Sequence, residues 1–320
     1  MISRRTLIAA AASLPAAPFL VPASAAADAS QPETAAGFAL PPGACDCHVH
    51  VHPEGYPLYE GRTYTPGGAE VGELEAMMAA LGLDRAVIVT PSIYGPDNSA
   101  TLSGLHALGE RGRGVAVIDG TTTAREMRLL DAAGIRGVRL NLSTGGVSQP
   151  EVARGMVEET LARIDATDWH LQLNTNLAMI AALHDFLADQ PRTLVFDHFG
   201  GAQPDASAQP DAEALVSLVA SGKAYVKLSV KGGPRDDYSV FDPLAAALVE
   251  AGPDRVLWGT NWPHPNAKPP AGGTAKDLTP LFDVDDGAVL GHLPVWAPDL
   301  ALREKMLVAN PARLYGFGQA

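Results

Sequence analysis

From residue 44 onward the chain alternates short runs rich in Val, Ile and Leu with longer stretches in which apolar residues recur every three to four positions. The first pattern reads as buried strand and the second as helix with one apolar face. Strands are predicted over 45–51, 85–90, 114–118, 137–142, 170–174, 193–198, 224–229 and 255–259. Helices are predicted over 71–81, 100–110, 123–133, 151–166, 178–188, 211–220, 241–250 and 298–308. Strand and helix alternate eight times, which predicts an α/β fold, a single (β/α)8 TIM barrel. An open doubly wound sheet would want a glycine-rich phosphate turn after its first strand, and Pro53-Glu54-Gly55 stands there instead. Residues 263–298 are rich in Pro, Gly and Asp and read as one long loop without a helix until its end, the length of a functional lid, with a merely decorative excursion as the alternative.

The first residues break the pattern. Arg4 and Arg5 precede a modest apolar run from Thr6 to Val21, and small residues follow around Ala25 to Ala27. Ser3-Arg4-Arg5-Thr6-Leu7-Ile8 resembles the twin-arginine export signal of bacteria, while Pro15, Pro18 and Pro22 argue against a spanning helix. The expected organisation is a cleaved signal at 1–27, a flexible linker at 28–42 and the barrel at 43–320, with the mature protein in the periplasm. An uncleaved N-terminus, amphipathic or disordered, is the bland alternative.

Composition narrows the partners. The chain has 320 residues, 47% of them hydrophobic, enough for one large core. Its formal net charge of −13 argues against nucleic acid or an anionic membrane surface, both of which need clustered Lys and Arg. The two cysteines, Cys45 and Cys47, sit at i, i+2, a spacing that disfavours a disulfide between them.

In a barrel the chemistry sits at the C-terminal ends of the strands. On the first strand, alternation puts Asp46, His48 and His50 on one face, opposite Cys45, Cys47 and Val49. A His-x-His pair suits one metal ion, and its competing reading is a hydrogen-bonded polar core. His52 lies beyond the strand. The fourth strand offers Arg139 and Asn141 on one face, and a guanidinium there suits a carboxylate, although a barrel-mouth salt bridge is an equal alternative. The fifth offers His170, Gln172 and Asn174, with His170 at the structural end; the sixth ends in Asp197-His198, and the seventh carries Tyr225, Lys227 and Ser229. After the eighth come Asn261, Trp262, Pro263, His264, Pro265 and Asn266, where two prolines fix the backbone around His264.

Asp46-Cys47-His48-Val49-His50, Asp197-His198-Phe199-Gly200, Gly259-Thr260-Asn261-Trp262-Pro263-His264-Pro265 and Asn310-Pro311-Ala312-Arg313-Leu314-Tyr315 together resemble the amidohydrolase superfamily. The resemblance runs from about Pro42 to Phe317 and is to the branch around 2-pyrone-4,6-dicarboxylate lactonase, which includes sulfomuconolactone hydrolase and galactarolactone isomerase. It implies a barrel acting on small lactones that carry anionic groups. It implies that His48, His50 and His198 polarise the lactone carbonyl or hold a metal, that Arg139 grips a carboxylate, and that His264 and Asn266 line the side of the last loop. Asn141, Asn174 and Lys227 complete the candidate substrate-binding set.

The departures from that pattern carry information too. Asn174 and Asn261 stand where metal-dependent members carry ligands, and amides are poor zinc ligands. The expectation is therefore that no cofactor is required, with zinc on His48, His50 and His198 as the option. Gly145-Gly146 replaces a second arginine, which disfavours the planar pyrone dicarboxylate as substrate. Asn261 cannot take a proton from water as an aspartate would, so hydrolysis needs its base elsewhere, on His264 or on a metal-bound hydroxide. Lactone isomerisation escapes that demand, because a hydroxyl of the substrate supplies the nucleophile. The leading expectation is a lactone hydrolase, with a lactone isomerase next and a non-catalytic binding protein on the same scaffold third.

Overall fold

The computed structural model describes residues 29–203 and 209–318. The expected signal at 1–27 and the start of the expected linker lie outside the described residues. Eight parallel strands form the barrel: β1 (Cys45–Val49), β2 (Arg85–Val89), β3 (Gly112–Ala116), β4 (Ile135–Asn141), β5 (His170–Asn174), β6 (Leu194–Phe196), β7 (Ala224–Leu228) and β8 (Val256–Trp258). Neighbours in sequence are neighbours in the sheet from β1 to β8. The (β/α)8 barrel expected from the alternation is the fold observed.

The seam between β8 and β1 is closed by residues just beyond β8. Asn261 N–H donates to the His48 carbonyl at 2.9 Å, and His50 N–H donates to the Trp262 carbonyl at 2.8 Å. Between them the fully buried Asp46 carboxylate accepts from the Thr260 N–H and, at 2.6 Å, from its hydroxyl. Gly259 makes this approach possible, since a Cβ there would lie 2.9 Å from both Cβ and backbone N of His48.

One expectation about β1 is overturned. The pairing of β1 with β2 skips a residue between Asp46 and Val49, the mark of a β-bulge. The bulge resets the alternation. Cys45 and Cys47 pack in the barrel interior with Val87, Val89, Val115, Val195 and Leu257, whereas Val49 and Val51 join the helix-facing core. His48 and His50 therefore stand above the two cysteines on the same inner side, and Asp46 turns to the seam. Both cysteines are free thiols.

The helices outside the barrel form where their apolar faces can bury on the strands. Val71–Leu81 buries Leu74, Met77, Met78 and Leu81, and Ala124–Ala132 starts on a reciprocal Thr123/Glu126 capping box. The helix expected over 178–188 is broken at Leu183 into Leu177–Ala182 and His184–Ala188. The last expected helix consists of Leu300–Glu304, a π turn at Lys305–Ala309 and Asn310–Tyr315. The excursion after β8 is not helix-free: Asp286–Gly291 and Leu293–Trp296 are helical, their apolar Val289, Leu290, Leu293 and Trp296 buried on the core. Its middle turns back over the barrel mouth, where Leu278–Thr279 pairs with Thr65–Pro66 from the loop after β1. No helix among the described residues is long and apolar enough to cross a membrane.

Candidate active site

The residues at the strand ends converge on one carboxylate. Asp197, fully buried just beyond β6, accepts a hydrogen bond from Arg139 Nε at 2.9 Å through Oδ2. Its Oδ1 lies 3.1 Å from His48 Nδ1 and 3.7 Å from the Lys227 ammonium. Lys227 Nζ also donates to Gln172 Oε1 at 2.7 Å and lies 3.4 Å from His48 Nδ1. Burial opposes ionisation of Asp197, but His48, Arg139 and Lys227 around it prevail and hold its carboxyl well below the usual range. Burial pushes the Lys227 ammonium down to about 8.

The histidines stack above. His48 Nε2 and His50 Nε2 are 3.3 Å apart, and His50 Nδ1 donates to the Val89 carbonyl at 2.7 Å. The His48 and His198 rings are tilted against each other with centroids 4.6 Å apart, and His198 Nδ1 meets Ser229 Oγ at 2.8 Å. Burial, followed for His50 and His198 by neighbouring positive groups, drives all three imidazoles well below their ordinary value. The direction of the shift favours the neutral imidazole.

The pocket over this cluster is tight, with a volume of about 30 Å³. Its walls are His50, His198, Arg139, Asn141, Asn174 and Asn261, with Tyr64, Ser92, Thr144 and Lys231 at the sides and Pro265 and Ala267 in the roof. Asn174 Nδ2 donates to Asn141 Oδ1 at 2.6 Å, and the Thr144 N–H donates to the same oxygen at 3.2 Å. That leaves the Asn141 NH2 to face a ligand. Among the described residues the lining holds two cations, Arg139 and Lys231, and no carboxylate. In a chain of net charge −13 this is a local reversal of sign.

Other sequence-predicted residues stand elsewhere. His48 is fully buried behind His50 and His198 and does not line the pocket. Lys227 is likewise fully buried, beneath the histidines, with its ammonium committed to Gln172 and the Asp197 side. His264 is outside the lining: its Nε2 pairs with the buried Asp286 carboxylate at 2.9 Å, and its N–H donates to the Asn261 carbonyl at 2.8 Å. Asn266 is half-buried in the roof segment between the lining residues Pro265 and Ala267. Asn261 itself has a left-handed backbone, φ 71°, a conformation that Asn tolerates better than most residues.

Sequence reasoning passed over Asp197, Tyr64, Ser92, Thr144 and Lys231 as site residues. Asp197 had a signal: it shares the inward alternation of Val195 and ends a strand. Tyr64 and Thr144 sit in loops and Ser92 opens the short 3-10 turn Ser92–Tyr94, where no periodicity marks them.

The nitrogens fit a metal in part. Two imidazole nitrogens on one tetrahedral zinc stand roughly 3.3 Å apart, given zinc–nitrogen bonds of about 2.0–2.1 Å, and the His48–His50 pair meets that spacing. His48, Asp197 and His198 also place ligand atoms within 4.8 Å of one another. Asp197, however, is already held by Arg139, and Asn261 offers only an amide.

The chain belongs to the amidohydrolase family, whose sequence profile matches residues 45–317. It is 34% identical over 295 residues to a 2-pyrone-4,6-dicarboxylate hydrolase of Comamonas testosteroni, covering 87% of this chain and 92% of that protein. It is 33% identical over 305 residues to a D-galactarolactone isomerase of Agrobacterium fabrum, covering 88% of this chain and 94% of the relative. Among solved structures, an apo protein of Agrobacterium tumefaciens superposes with a TM-score of 0.72 at 27% identity, over 88% of this chain and 98% of that one. The relatives thus include a lactone hydrolase and a lactone isomerase.

Proposed function

We propose that this protein is a hydrolase that opens a small lactone bearing a carboxylate. The observation that carries the reading is the pocket wall in which Arg139 and Lys231 face a ligand with no carboxylate beside them. Arg139 spends Nε on Asp197, which fixes the guanidinium and leaves its terminal nitrogens for the substrate's anionic group. The NH2 groups of Asn141 and Asn261 stabilise the oxyanion that forms at the lactone carbonyl. His198, neutral and oriented by Ser229, takes the proton from the attacking water and returns it to the leaving alkoxide. His264 is left out of this chemistry and serves the Asn261 turn.

An ion at this site would be held by His48, His50 and His198, where zinc supplies Lewis-acid polarisation of a carbonyl. The favoured reading needs none, because the cations and amides already facing the pocket stabilise the developing charge. The twin-arginine-like leader supports a periplasmic site of action.

Asn261 favours a second reading, isomerisation. With an amide at that position, a hydroxyl of the substrate held by Thr144, Ser92 or Tyr64 attacks the carbonyl in place of water. Both readings need the substrate's anion. Comparing kcat/KM for a carboxylate lactone with its neutral methyl ester should show a preference of about 100-fold or more for the acid, and equal rates would reject the anion-binding role of the pocket.

A further inference from the structure

The pocket is smaller than any lactone its walls would hold. Its volume of about 30 Å³ is one water molecule's share of the liquid, whereas pockets for small molecules run to about 300–1,000 Å³. Arg139, Asn141 and Asn174 stand on β4 and β5, whose pairing fixes them from Gly137 against His170 to Asn141 against Asn174. Room has to come from the roof. There Tyr64 belongs to the loop after β1, and Pro265 and Ala267 belong to the loop after β8.

Both loops leave the barrel through pinned necks. His52 and Ala69 exchange backbone hydrogen bonds of 2.8 and 3.2 Å at the base of 53–68, and the Phe282 N–H donates to the His264 carbonyl at 3.0 Å at the base of 265–281. Beyond the necks the two loops are joined to each other. Leu278–Thr279 pairs in parallel with Thr65–Pro66. The Thr65 hydroxyl accepts from Arg62 Nε and donates to the Ala275 carbonyl, each at 2.8 Å, and Lys276 meets Glu60 at 2.9 Å. Lifting one loop alone would break this whole set of bonds.

A seam of another kind holds the joined loops down. Tyr64 packs with Ile93, Tyr94 and Ala100 in an apolar cluster separate from the two clusters of the barrel, with Tyr56, Leu58 and Ala267 against it. Beside it the Tyr59 N–H donates to the Ile93 carbonyl at 2.7 Å. A small satellite cluster of this sort buries little surface and parts at a lower free energy than the core.

We propose that 53–68 and 265–281 form one lid, which parts from Ile93, Tyr94 and Ala100 as a single body to admit the lactone and brings Tyr64 onto it on closing. The shut lid screens the reacting carbonyl from bulk water. Its role as a gate rests on the lactone-acting reading; its motion as one body does not.

The test is hydrogen exchange by mass spectrometry on the full-length protein carrying Tyr59→Cys and Ile93→Cys, two neighbours whose backbones are hydrogen-bonded, so that oxidation tethers the first loop only. Oxidation should slow exchange about tenfold or more in both 53–68 and 265–281, although the tether touches one of them. On any lactone the reduced variant turns over, kcat/KM should fall about 100-fold on oxidation and return with reductant. The parent, whose Cys45 and Cys47 are buried free thiols, goes through the same cycle as control. Leu58→Ala, which weakens the seam from the first loop, should speed exchange in both loops together by about fivefold or more, and it serves if the cysteine pair fails to fold. A change confined to 53–68 in either variant, or full turnover by the oxidised protein, overturns the proposal. Concerted changes in a protein that turns over no lactone would sustain the lid and reject the enzymatic reading instead.

Discussion

Arg139 of β4 and Asp197 at the end of β6 are joined through Nε and Oδ2 at 2.9 Å, and only the arginine reaches the pocket. The buried carboxylate thus aims a cation at the pocket. Arg139→Ala should reduce kcat/KM on carboxylate lactones by roughly 100–1000-fold and also lower stability by about 3–5 kcal/mol, because Asp197 loses its counterion. Arg139→Lys should recover much of the stability but little activity, since an ammonium lacks the fork that holds both the carboxylate and Asp197. Steady-state kinetics with urea denaturation separates the two effects, and near-parental activity in Arg139→Ala would remove the anion-binding argument.

His198→Ala should lower kcat by about 100–10,000-fold, the range for loss of a general acid–base. Ser229→Ala, which frees the His198 ring without removing it, should cost about tenfold in kcat with KM unchanged. A larger loss from Ser229 than from His198 would mean that the serine hydroxyl, and not the imidazole, does the chemistry.

Asn261→Asp places a carboxylate in the lining beside neutral imidazoles. It should raise the share of water attack, so the ratio of ring-opened to ring-migrated product increases. Product ratios by proton NMR measure this directly, and no change in ratio would show that Asn261 does not govern the nucleophile.

The barrel seam makes a prediction about pH. Burial raises Asp46 to about 7, against the bonds from Thr260 and His48, while its ordinary value is 3.8. Between those values the folded state holds a proton that the unfolded state has released, so stability is lost as pH rises through 7. In urea titrations the parent should lose stability relative to Asp46→Asn between about pH 4 and pH 7 and level off above, by up to a few kcal/mol in all. Thr260→Val, which removes the 2.6 Å hydroxyl bond to Asp46, should cost about 1–3 kcal/mol at any pH. A parent-to-variant difference that is flat with pH would place the Asp46 proton elsewhere.

The strands were readable in the sequence because barrel strands buried on both faces appear as compact apolar runs; β5 was predicted at its observed ends, His170 and Asn174. The histidines and Arg139 were readable because they sit at strand ends. The bulge in β1 was not, since one inserted residue leaves no trace in Asp-Cys-His-Val-His, and it alone decides that Cys47 and His48 share the interior. The helices at Asp286–Gly291 and Leu293–Trp296 were hidden by the Asp and Pro around them, and tertiary burial of Leu290 and Trp296 overrides that composition. The depth of Lys227, under the site and outside its lining, depends on contacts with β5 and β6 that periodicity does not encode.

The most direct test of the central claim is proton NMR of the products formed from a panel of acidic γ- and δ-lactones by the protein, with His198→Ala alongside. The account predicts ring-opened acid as the main product from at least one carboxylate lactone, with migrated lactone as the product if Asn261 directs the substrate's own hydroxyl, and loss of either in the variant. Saturable binding of these lactones without turnover would contradict it and leave a binding protein built on the amidohydrolase barrel.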